Sequence, residues 1–282
     1  MPELPEVETM CRGLVGVVGR RIVAATLPRS RVRPLRVRPA GAVLLRRLAG
    51  RLIAGVHRRG KRVVIEVAEV GGRPREWLVI EPRMTGQMLV VDPPTEEHVR
   101  LVVQLAEGPV PRFLFWDRRG LGTIRLLDDR GLELACGRSK LGPDGLVVTG
   151  DDLATRLGRS RRAVKAALLD QRAVAGIGNI YASEVLHRVA IHPRTSCRRI
   201  RREHWERIAA ATRRVLTEAV ALEGSSIGDE TYRTADSRPG RAQKRHRVYD
   251  REGKPCRRCR TPIERIVLAQ RATFFCPVCQ AR

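Results

Sequence analysis

The sequence predicts an α+β protein: an N-terminal helix, an antiparallel β-sandwich or barrel, a helical region, and a small C-terminal hairpin that carries paired cysteines. Three observations support this. Short runs rich in β-branched residues follow one another from about residue 20 to 135, separated by Gly, Pro or Asp. From about 151 to 223, apolar residues recur at helical spacing. Two Cys-x2-Cys pairs lie near the end of the chain.

The first element is a helix behind the opening stretch MPELPEVET. Its buried face is predicted by helical spacing of Val7, Met10, Cys11, Leu14 and Val18. Carboxylates such as Glu6 favour the first turn because they complement the helix dipole, but this does not explain Pro2. If the initiator Met is removed, Pro2 carries the free α-amine, which is a secondary amine. An α-amino group has a pKa of about 8 in model peptides, so part of it is unprotonated and nucleophilic at neutral pH.

Charge and composition narrow the class of protein. The 282 residues include 55 Lys and Arg against 30 Asp and Glu, a net charge of +25, and 43% are hydrophobic. A globular chain with this excess of positive charge favours a polyanionic partner, and nucleic acid is the commonest polyanion in a cell. No run approaches the roughly 20 apolar residues of a membrane span, and the acidic start lacks the features of a signal peptide. We therefore expect a cytoplasmic protein with no membrane partner.

The change along the chain from β-branched runs to helical spacing, and then to paired cysteines, divides it into four segments. We assign 1–135 to the helix and β-sandwich, 136–150 to a linker, 151–237 to the helical domain, and 238–282 to the cysteine hairpin. The stretch from 225 to 247 has almost no periodicity and is expected to be an exposed loop.

A glycine-rich turn is expected between two helices, in the stretch VAGIGNIYASEV. Gly176-x-Gly178 does not predict a dinucleotide site, because no strand precedes it and the third glycine is missing. Such a turn, with Asn179 and the basic Lys165 on the preceding helix, can instead hold a phosphate at a helix N-terminus. An ordinary tight turn capped by Asn is the alternative.

The paired cysteines predict a structural zinc site. Cys256-x2-Cys259 and Cys276-x2-Cys279 have the spacing of a tetrahedral four-thiolate centre, which leaves no open coordination position for catalysis. The alternating residues between the pairs suit a β-hairpin with Arg271 near its tip or flank. Because 238–282 holds 13 Lys and Arg against 3 Asp and Glu, this hairpin is a candidate reader of phosphate or of a DNA groove.

Together these motifs resemble one family along the whole chain. MPELPEVET, RRGKR, RMTGQM, LGPDGL, LLDQRAVAGIGNIYASEVL, GSSI and QRATFFCPVCQ are similar to motifs of formamidopyrimidine-DNA glycosylase, a bacterial base-excision enzyme that also cleaves abasic sites. The resemblance implies a β-sandwich and a helix-two-turn-helix domain with a zinc finger. It also implies damaged double-stranded DNA as partner, one structural Zn²⁺, a monomer, and a location at the nucleoid.

The resemblance also implies roles for individual residues. Pro2 is the nucleophile on deoxyribose C1′ and Glu3 the general acid/base. Glu6 fixes the N-terminus or the lesion, with helix-dipole stabilisation as its alternative role. Four further residues match family positions that bind DNA phosphates: Lys61, Lys165, Asn179 and Arg271. Of these, Lys61 and Arg271 are assigned to the catalytic group. Met84 and Arg119 match two of the three residues that fill the space of an everted base.

Three positions depart from the family pattern. Leu121 stands where the third void-filling residue is usually Phe, and loses a base–aromatic stack worth roughly 1–3 kcal/mol. Glu81-Pro82 replaces a usual His-Leu, so that a carboxylate stands where a histidine can help to bind phosphate; surplus arginine is expected to compensate. SRPGRAQ replaces the usual Gly-Lys-Pro-Gly-aromatic sequence of the lesion-capping loop.

The function implied is a bifunctional glycosylase and abasic-site lyase for 8-oxoguanine and formamidopyrimidines, working through a Schiff base and β,δ-elimination. One alternative is an endonuclease VIII-like enzyme for oxidised pyrimidines, against which the opening motif and the Met84–Arg119 pair argue. The other is a zinc protein that binds damaged DNA without cutting it. Intact Pro2 and Glu3 argue against that class, because a binding protein needs neither.

Overall fold

A computed structural model describes residues 2–30, 33–69, 74–106, 108–228 and 232–282. Met1, whose removal the nucleophile requires, lies outside these residues, as do 229–231 of the predicted loop. The chain divides into two compact units. Unit 1 comprises 1–137 with 222–241, and unit 2 comprises 138–221 with 242–282.

Unit 1 contains three helices and nine strands within its described residues. The helices are α1 (Leu4–Gly13), α2 (Gly41–Leu48) and α3 (Asp129–Cys136). The strands are β1 (Ile22–Thr26), β2 (Arg36–Arg38), β3 (Leu52–Arg59), β4 (Arg62–Ala68), β5 (Arg75–Glu81), β6 (Gly86–Leu89), β7 (Val99–Leu105), β8 (Arg112–Asp117) and β9 (Thr123–Leu127).

The strands form two sheets that share one core. One sheet has the order β1-β7-β8-β6 and the other the order β2-β9-β5-β4-β3. Neighbouring strands run antiparallel, apart from the parallel pair β2–β9. Fully buried side chains such as Ile65 of one sheet and Phe113 of the other belong to a single hydrophobic cluster, which is the packing of a β-sandwich. The predicted sandwich is confirmed.

Helix α1 joins this core through the face that the sequence predicts. Val7, Met10 and Leu14 are fully buried in the shared cluster, whereas Val18 lies beyond the helix and is exposed. The helix packs against β3 and β4. Burial of this apolar face fixes the chain that precedes the helix, and with it Pro2 and Glu3.

Unit 2 contains four helices and one hairpin within its described residues. They are α4 (Gly150–Leu157), α5 (Val164–Leu168), α6 (Asn179–Arg188), α7 (Arg202–Ala221), β10 (Glu264–Leu268) and β11 (Arg271–Phe275). Strands β10 and β11 pair antiparallel, with Leu268 opposite Arg271. The two-residue turn between them, Ala269 and Gln270, has positive φ at both positions, as tight hairpins require. Within the described ranges, no helix is both long and apolar enough to span a membrane.

Two features differ from the sequence-based expectation. Helices α2 and α3 lie within the stretch predicted to be β throughout. The segment 222–241 belongs with the β-sheets, whereas the sequence-based assignment places most of it, up to residue 237, in the helical domain. Hydrogen bonds explain this association, because the Ala235 carbonyl accepts from the Val90 amide and the Gln87 side chain accepts from the Arg233 amide.

Candidate functional site

The N-terminal residues of unit 1 are held by a buried carboxylate. Pro2 is buried, and Glu3 and Glu6 are each about 1% exposed. The Glu3 amide donates to Oε2 of Glu6 at 2.8 Å, the return bond of a capping box at the start of a helix. Glu6 therefore holds the Glu3 backbone at the start of α1.

The other oxygen of Glu6 holds the distant segment 222–241. The Ser225 amide donates to Oε1 of Glu6 at 2.7 Å. Gly224 next to it has φ +79°, and a Cβ there would lie 2.9 Å from Glu6 Cγ, so the contact requires glycine. The Tyr232 hydroxyl lies 3.0 Å from the Glu223 carbonyl oxygen. Burial, reinforced by the Glu6 charge, raises the pKa of Tyr232 well above its ordinary value, so the hydroxyl stays a donor.

A cavity of about 150 Å³ opens beside Pro2. A cavity of that size can hold a benzene-sized ring. Its lining includes Pro2, Met84, Thr85, Arg119, Ser225 and Tyr232. The predicted nucleophile and two predicted void-filling residues thus share one cavity, together with the segment that Glu6 anchors.

The predicted void-filling residues lie on two loops of unit 1. Met84 precedes β6 and is 36% exposed. Arg119 is exposed and Leu121 half-buried on the loop between β8 and β9. Gly120 between them has φ +60°, and a Cβ there would lie 2.4 Å from the Arg33 carbonyl oxygen. The loop can keep this path only with glycine at 120.

Lys61 lies in the two-residue turn between β3 and β4 and is half-buried. Arg58 ties this turn to helix α1. Its Nε donates to Oε2 of Glu8 at 2.8 Å and its Nη1 to the Gly60 carbonyl at 3.1 Å. Because the same helix fixes Pro2, the turn and the N-terminus are linked through one arginine.

Glu81, the acidic departure from the family pattern, is paired on both sides. Its carboxylate lies 3.6 Å from Arg62 Nε and 3.1 Å from Arg83 Nε. The two guanidinium groups outweigh the single carboxylate, so the local charge is positive. Two arginines therefore flank Glu81 at this position.

Lys165 in unit 2 is buried and not exposed as a phosphate ligand would be. Its ammonium donates to Asn179 Oδ1 at 2.7 Å, to the Ala272 carbonyl at 3.1 Å and to Thr273 Oγ1 at 2.7 Å. The Asn179 amide also donates to the Ala272 carbonyl, at 2.9 Å. Lys165 therefore joins the start of α6 to strand β11, where the neighbouring Arg271 is exposed.

This geometry makes Lys165 a link between α6 and β11. The three acceptors named above are neutral groups, and the ammonium is a positive charge beside the first residue of α6. It adds to the field at the N-terminus of α6, where helix dipoles favour anions. Of the three residues of this unit that are predicted to bind phosphate, Asn179 and Arg271 are the two that are not buried.

The four predicted metal ligands converge in unit 2. The sulfur atoms of Cys256, Cys259, Cys276 and Cys279 all lie within 4.8 Å of one another, and no disulfide joins them. Tetrahedral zinc with bonds of about 2.3 Å would hold its sulfurs about 3.8 Å apart. The separations of 3.4 Å for Cys259–Cys276 and 3.9 Å for Cys256–Cys279 fit that geometry.

Two residues of α6 support the cysteine cluster. His187 Nε2 lies 3.5 Å from Cys256 Sγ, suitable for an N–H donor to a thiolate ligand. Glu184 accepts the backbone amides of Arg247, Val248 and Tyr249 at 2.8, 3.0 and 2.9 Å. Sequence reasoning missed both links, because the two residues fall on an otherwise ordinary helical stretch.

Comparison with known proteins identifies the group to which the chain belongs. Residues 1–124 match the formamidopyrimidine-DNA glycosylase N-terminal domain, 141–231 its H2TH domain, and 253–282 the zinc finger found in FPG and IleRS. The formamidopyrimidine-DNA glycosylase of Solibacter usitatus is 40% identical over 284 residues, with both chains covered in full. The chain belongs to the formamidopyrimidine-DNA glycosylase family.

Solved structures of this family have the same fold. The MutM (Fpg) protein of Thermus thermophilus is 38% identical, with a TM-score of 0.84 over 100% of this chain and 99% of the other. The Lactococcus lactis Fpg in complex with DNA that contains an abasic site is 31% identical, with a TM-score of 0.86 over 99% of this chain and 100% of the other. The zinc-finger match and the four converging cysteines confirm the predicted structural zinc site.

Each predicted site residue therefore has a place within one of the two units. Unit 1 contains seven of them, namely Pro2, Glu3, Glu6, Lys61, Met84, Arg119 and Leu121, and unit 2 contains Lys165, Asn179, Arg271 and the four cysteines. Sequence reasoning missed Thr85 and Tyr232, which line the Pro2 cavity, and the fully buried Asp117. A charged residue ending the apolar run RFLFWD was the available signal for Asp117.

Proposed function

We propose that this chain is a bifunctional DNA glycosylase and abasic-site lyase of base-excision repair. Its substrates are 8-oxoguanine and formamidopyrimidines in double-stranded DNA. The observation that carries the proposal is the cavity that Pro2 shares with Met84, Arg119 and the segment held by Glu6. A binding protein would not need a buried N-terminal Pro-Glu pair beside such a cavity.

The first chemical step uses the secondary amine of Pro2 after removal of Met1. Its lone pair attacks C1′ of the damaged nucleotide, and the ring C1′–O4′ bond opens with proton donation from Glu3 to O4′. The Pro2 nitrogen then loses its N–H proton, its lone pair forms the C1′=N bond, and the base departs with the glycosidic electron pair and takes up that proton. The product is an iminium ion between Pro2 and C1′. A secondary amine forms this cation after losing its single N–H proton and needs to lose no other. An α-amine with a pKa near 8 is about half neutral at pH 8, so the nucleophilic form is available.

Strand cleavage follows from the electron-withdrawing iminium. Removal of a C2′ proton expels the 3′-phosphate by β-elimination, and a second proton loss expels the 5′-phosphate by δ-elimination. Water then releases Pro2. Glu3 is buried and adjacent to the nucleophile, as a group that moves protons in both stages must be.

Access to C1′ requires that the base leave the helix stack, which costs a few kcal/mol. Met84, Arg119 and Leu121 fill the vacated space, and the exposure of the first two suits insertion into DNA. Lys61, Asn179 and Arg271 grip phosphates, with Lys165 supporting the latter two from within. These contacts fix the position of the backbone without reading sequence.

Zinc would be held by Cys256, Cys259, Cys276 and Cys279. When bound, it crosslinks the hairpin and supplies no reaction chemistry, because four thiolates fill its coordination shell. The hairpin then presents Arg271 on a fixed strand. Because its substrate is DNA, the enzyme works at the nucleoid. It works as a monomer, because each unit has its own core.

The test compares two damaged duplexes in the presence of borohydride, which reduces an imine to a stable amine. Purified protein is incubated with 8-oxoguanine opposite cytosine, or with an oxidised pyrimidine opposite its normal partner. A covalent protein–DNA band that forms faster on the 8-oxoguanine duplex supports the proposal. A band on the pyrimidine duplex alone would indicate endonuclease VIII-like activity, and binding without any band would indicate a damage-recognition protein.

A further inference from the structure

A buried carboxylate connects the two loops that carry the void-filling residues. Asp117 ends β8 and is 0% exposed. Its Oδ1 accepts from the Thr85 hydroxyl at 2.5 Å and from the Arg119 amide at 3.2 Å. Its Oδ2 accepts from the Gly122 amide at 2.8 Å. One side chain thus binds the residue after Met84 and both ends of the Arg119–Gly122 loop.

Thr85 closes the connection from the other side. While its hydroxyl hydrogen points to Asp117, its oxygen accepts from the Arg119 amide at 3.0 Å. Thr85 is also buried and follows Met84 directly in the chain. The hydroxyl therefore joins the Met84 loop to the Arg119 backbone by one hydrogen bond and to the Asp117 carboxylate by another.

Packing leaves these loops little freedom. The Phe115 ring lies close to Gly86, the first residue of β6 after the Met84 loop, and to Gly122 at the end of the Arg119–Gly122 loop. A Cβ at Gly86 would lie 2.8 Å from Phe115 Cε2, and a Cβ at Gly122 would lie 2.6 Å from Phe115 Cζ. Both distances are shorter than any ordinary carbon contact, so both loops approach the ring as closely as glycine allows.

A buried arginine holds the backbone of Asp117. Arg100 is 3% exposed, and its Nε donates to the Asp117 carbonyl oxygen at 2.9 Å. Burial lowers the pKa of Arg100, and the charge of Asp117 opposes that shift.

We propose that Asp117 and Thr85 are positioning residues that hold Met84 and Arg119 in one preset geometry, and so determine how well the enzyme stabilises an everted base. The inference rests on the proposed function. The side chains of Met84 and Arg119 are exposed, whereas the Arg119 amide and the residue after Met84 are held by this network. Preorganisation of this kind removes the cost of ordering the loops upon binding.

The test separates base eversion from the chemistry at C1′. Two rates are measured in single turnovers: excision of 8-oxoguanine from a duplex, which needs eversion, and cleavage of a single-stranded abasic oligonucleotide, which does not. We expect Thr85→Val, which keeps the shape of threonine but loses its hydroxyl, to lower the ratio of these rates about tenfold, the size of a lost buried hydrogen bond. Thr85→Ser should restore the ratio.

Thr123→Val is the matched control, because the Thr123 hydroxyl has no hydrogen-bond partner among the described residues. It should leave the ratio as in the wild type. An unchanged ratio in Thr85→Val, whether both rates persist or both fall together, would overturn the inference. Wild-type protein that cleaves the abasic strand but never excises 8-oxoguanine would instead refute the proposed function, and this inference with it.

Discussion

The carboxylate of Glu6 accepts a hydrogen bond from the backbone amide of Ser225, 219 positions away in the sequence, at a distance of 2.7 Å. The same carboxylate accepts the amide of Glu3 at 2.8 Å. A single side chain therefore sets both the residue beside the proposed nucleophile and the segment that lines the cavity opposite it. This link makes Glu6 a positioning residue for both.

Replacing Glu6 with Gln should impair excision more than stability. The amide keeps one acceptor and presents a donor to a second N–H, so one of the two bonds is lost, at a cost of about 1–3 kcal/mol. We expect kcat for 8-oxoguanine excision to fall about tenfold or more, which corresponds to that cost. Glu96→Gln, in an exposed turn, is the control. Equal rates for Glu6→Gln and wild type in single turnovers would contradict this role.

Replacing Leu121 with Phe should strengthen stacking in the vacated space. Because base–aromatic stacking is worth roughly 1–3 kcal/mol, affinity for a lesion duplex should rise, and the preference for cytosine over adenine opposite the lesion should sharpen. Leu134→Phe, which is exposed on α3, controls for added surface apolarity. Fluorescence anisotropy with both duplexes measures the change. Unchanged affinity and unchanged cytosine preference would remove Leu121 from the void-filling set.

Loss of the Lys165 ammonium should disrupt unit 2 and weaken its grip on DNA. Lys165→Met leaves buried acceptors without their donor, at about 1–3 kcal/mol for each unsatisfied group. Lys140→Met removes the same charge from an exposed position. Denaturant unfolding and duplex binding are measured for both variants. If the two variants behave alike, Lys165 acts only through its charge, and the structural role described above is wrong.

Removal of zinc should abolish tight duplex binding. Strands β10 and β11 have five residues each, and a hairpin of that size is marginal alone. Chelator-treated protein should lose its metal and bind the lesion duplex far more weakly, with recovery upon addition of Zn²⁺ but not Mg²⁺. Cys259→Ser should behave like the metal-free protein and Cys136→Ala like the wild type. Full binding by protein shown to be metal-free would contradict the structural role.

The sequence predicted the parts of the fold whose signals are local. The apolar runs at β4, β5, β7 and β8 and the cysteine spacing are legible without tertiary information. Helices α2 and α3 were missed because each has only eight residues, too few to establish a helical period between strands.

The role of Lys165 could not be read from the sequence. A lysine on a short helix resembles an exposed basic residue, but this one is buried by partners 107 and 108 positions away. Asp117 is similar, since its partner Thr85 comes from another strand region, 32 positions earlier. Pairings over such separations depend on how strands and helices pack, which local patterns do not encode.

The central claim is that the nitrogen of Pro2 attacks C1′, and the site of covalent attachment tests it most directly. The borohydride-reduced adduct on an 8-oxoguanine duplex would be digested with nuclease and protease and located by mass spectrometry. The account predicts a deoxyribose remnant on the peptide that begins at Pro2, with Met1 absent, and much slower adduct formation for Glu3→Gln. A remnant on a lysine such as Lys61, or adduct formation by protein that retains Met1, would contradict it.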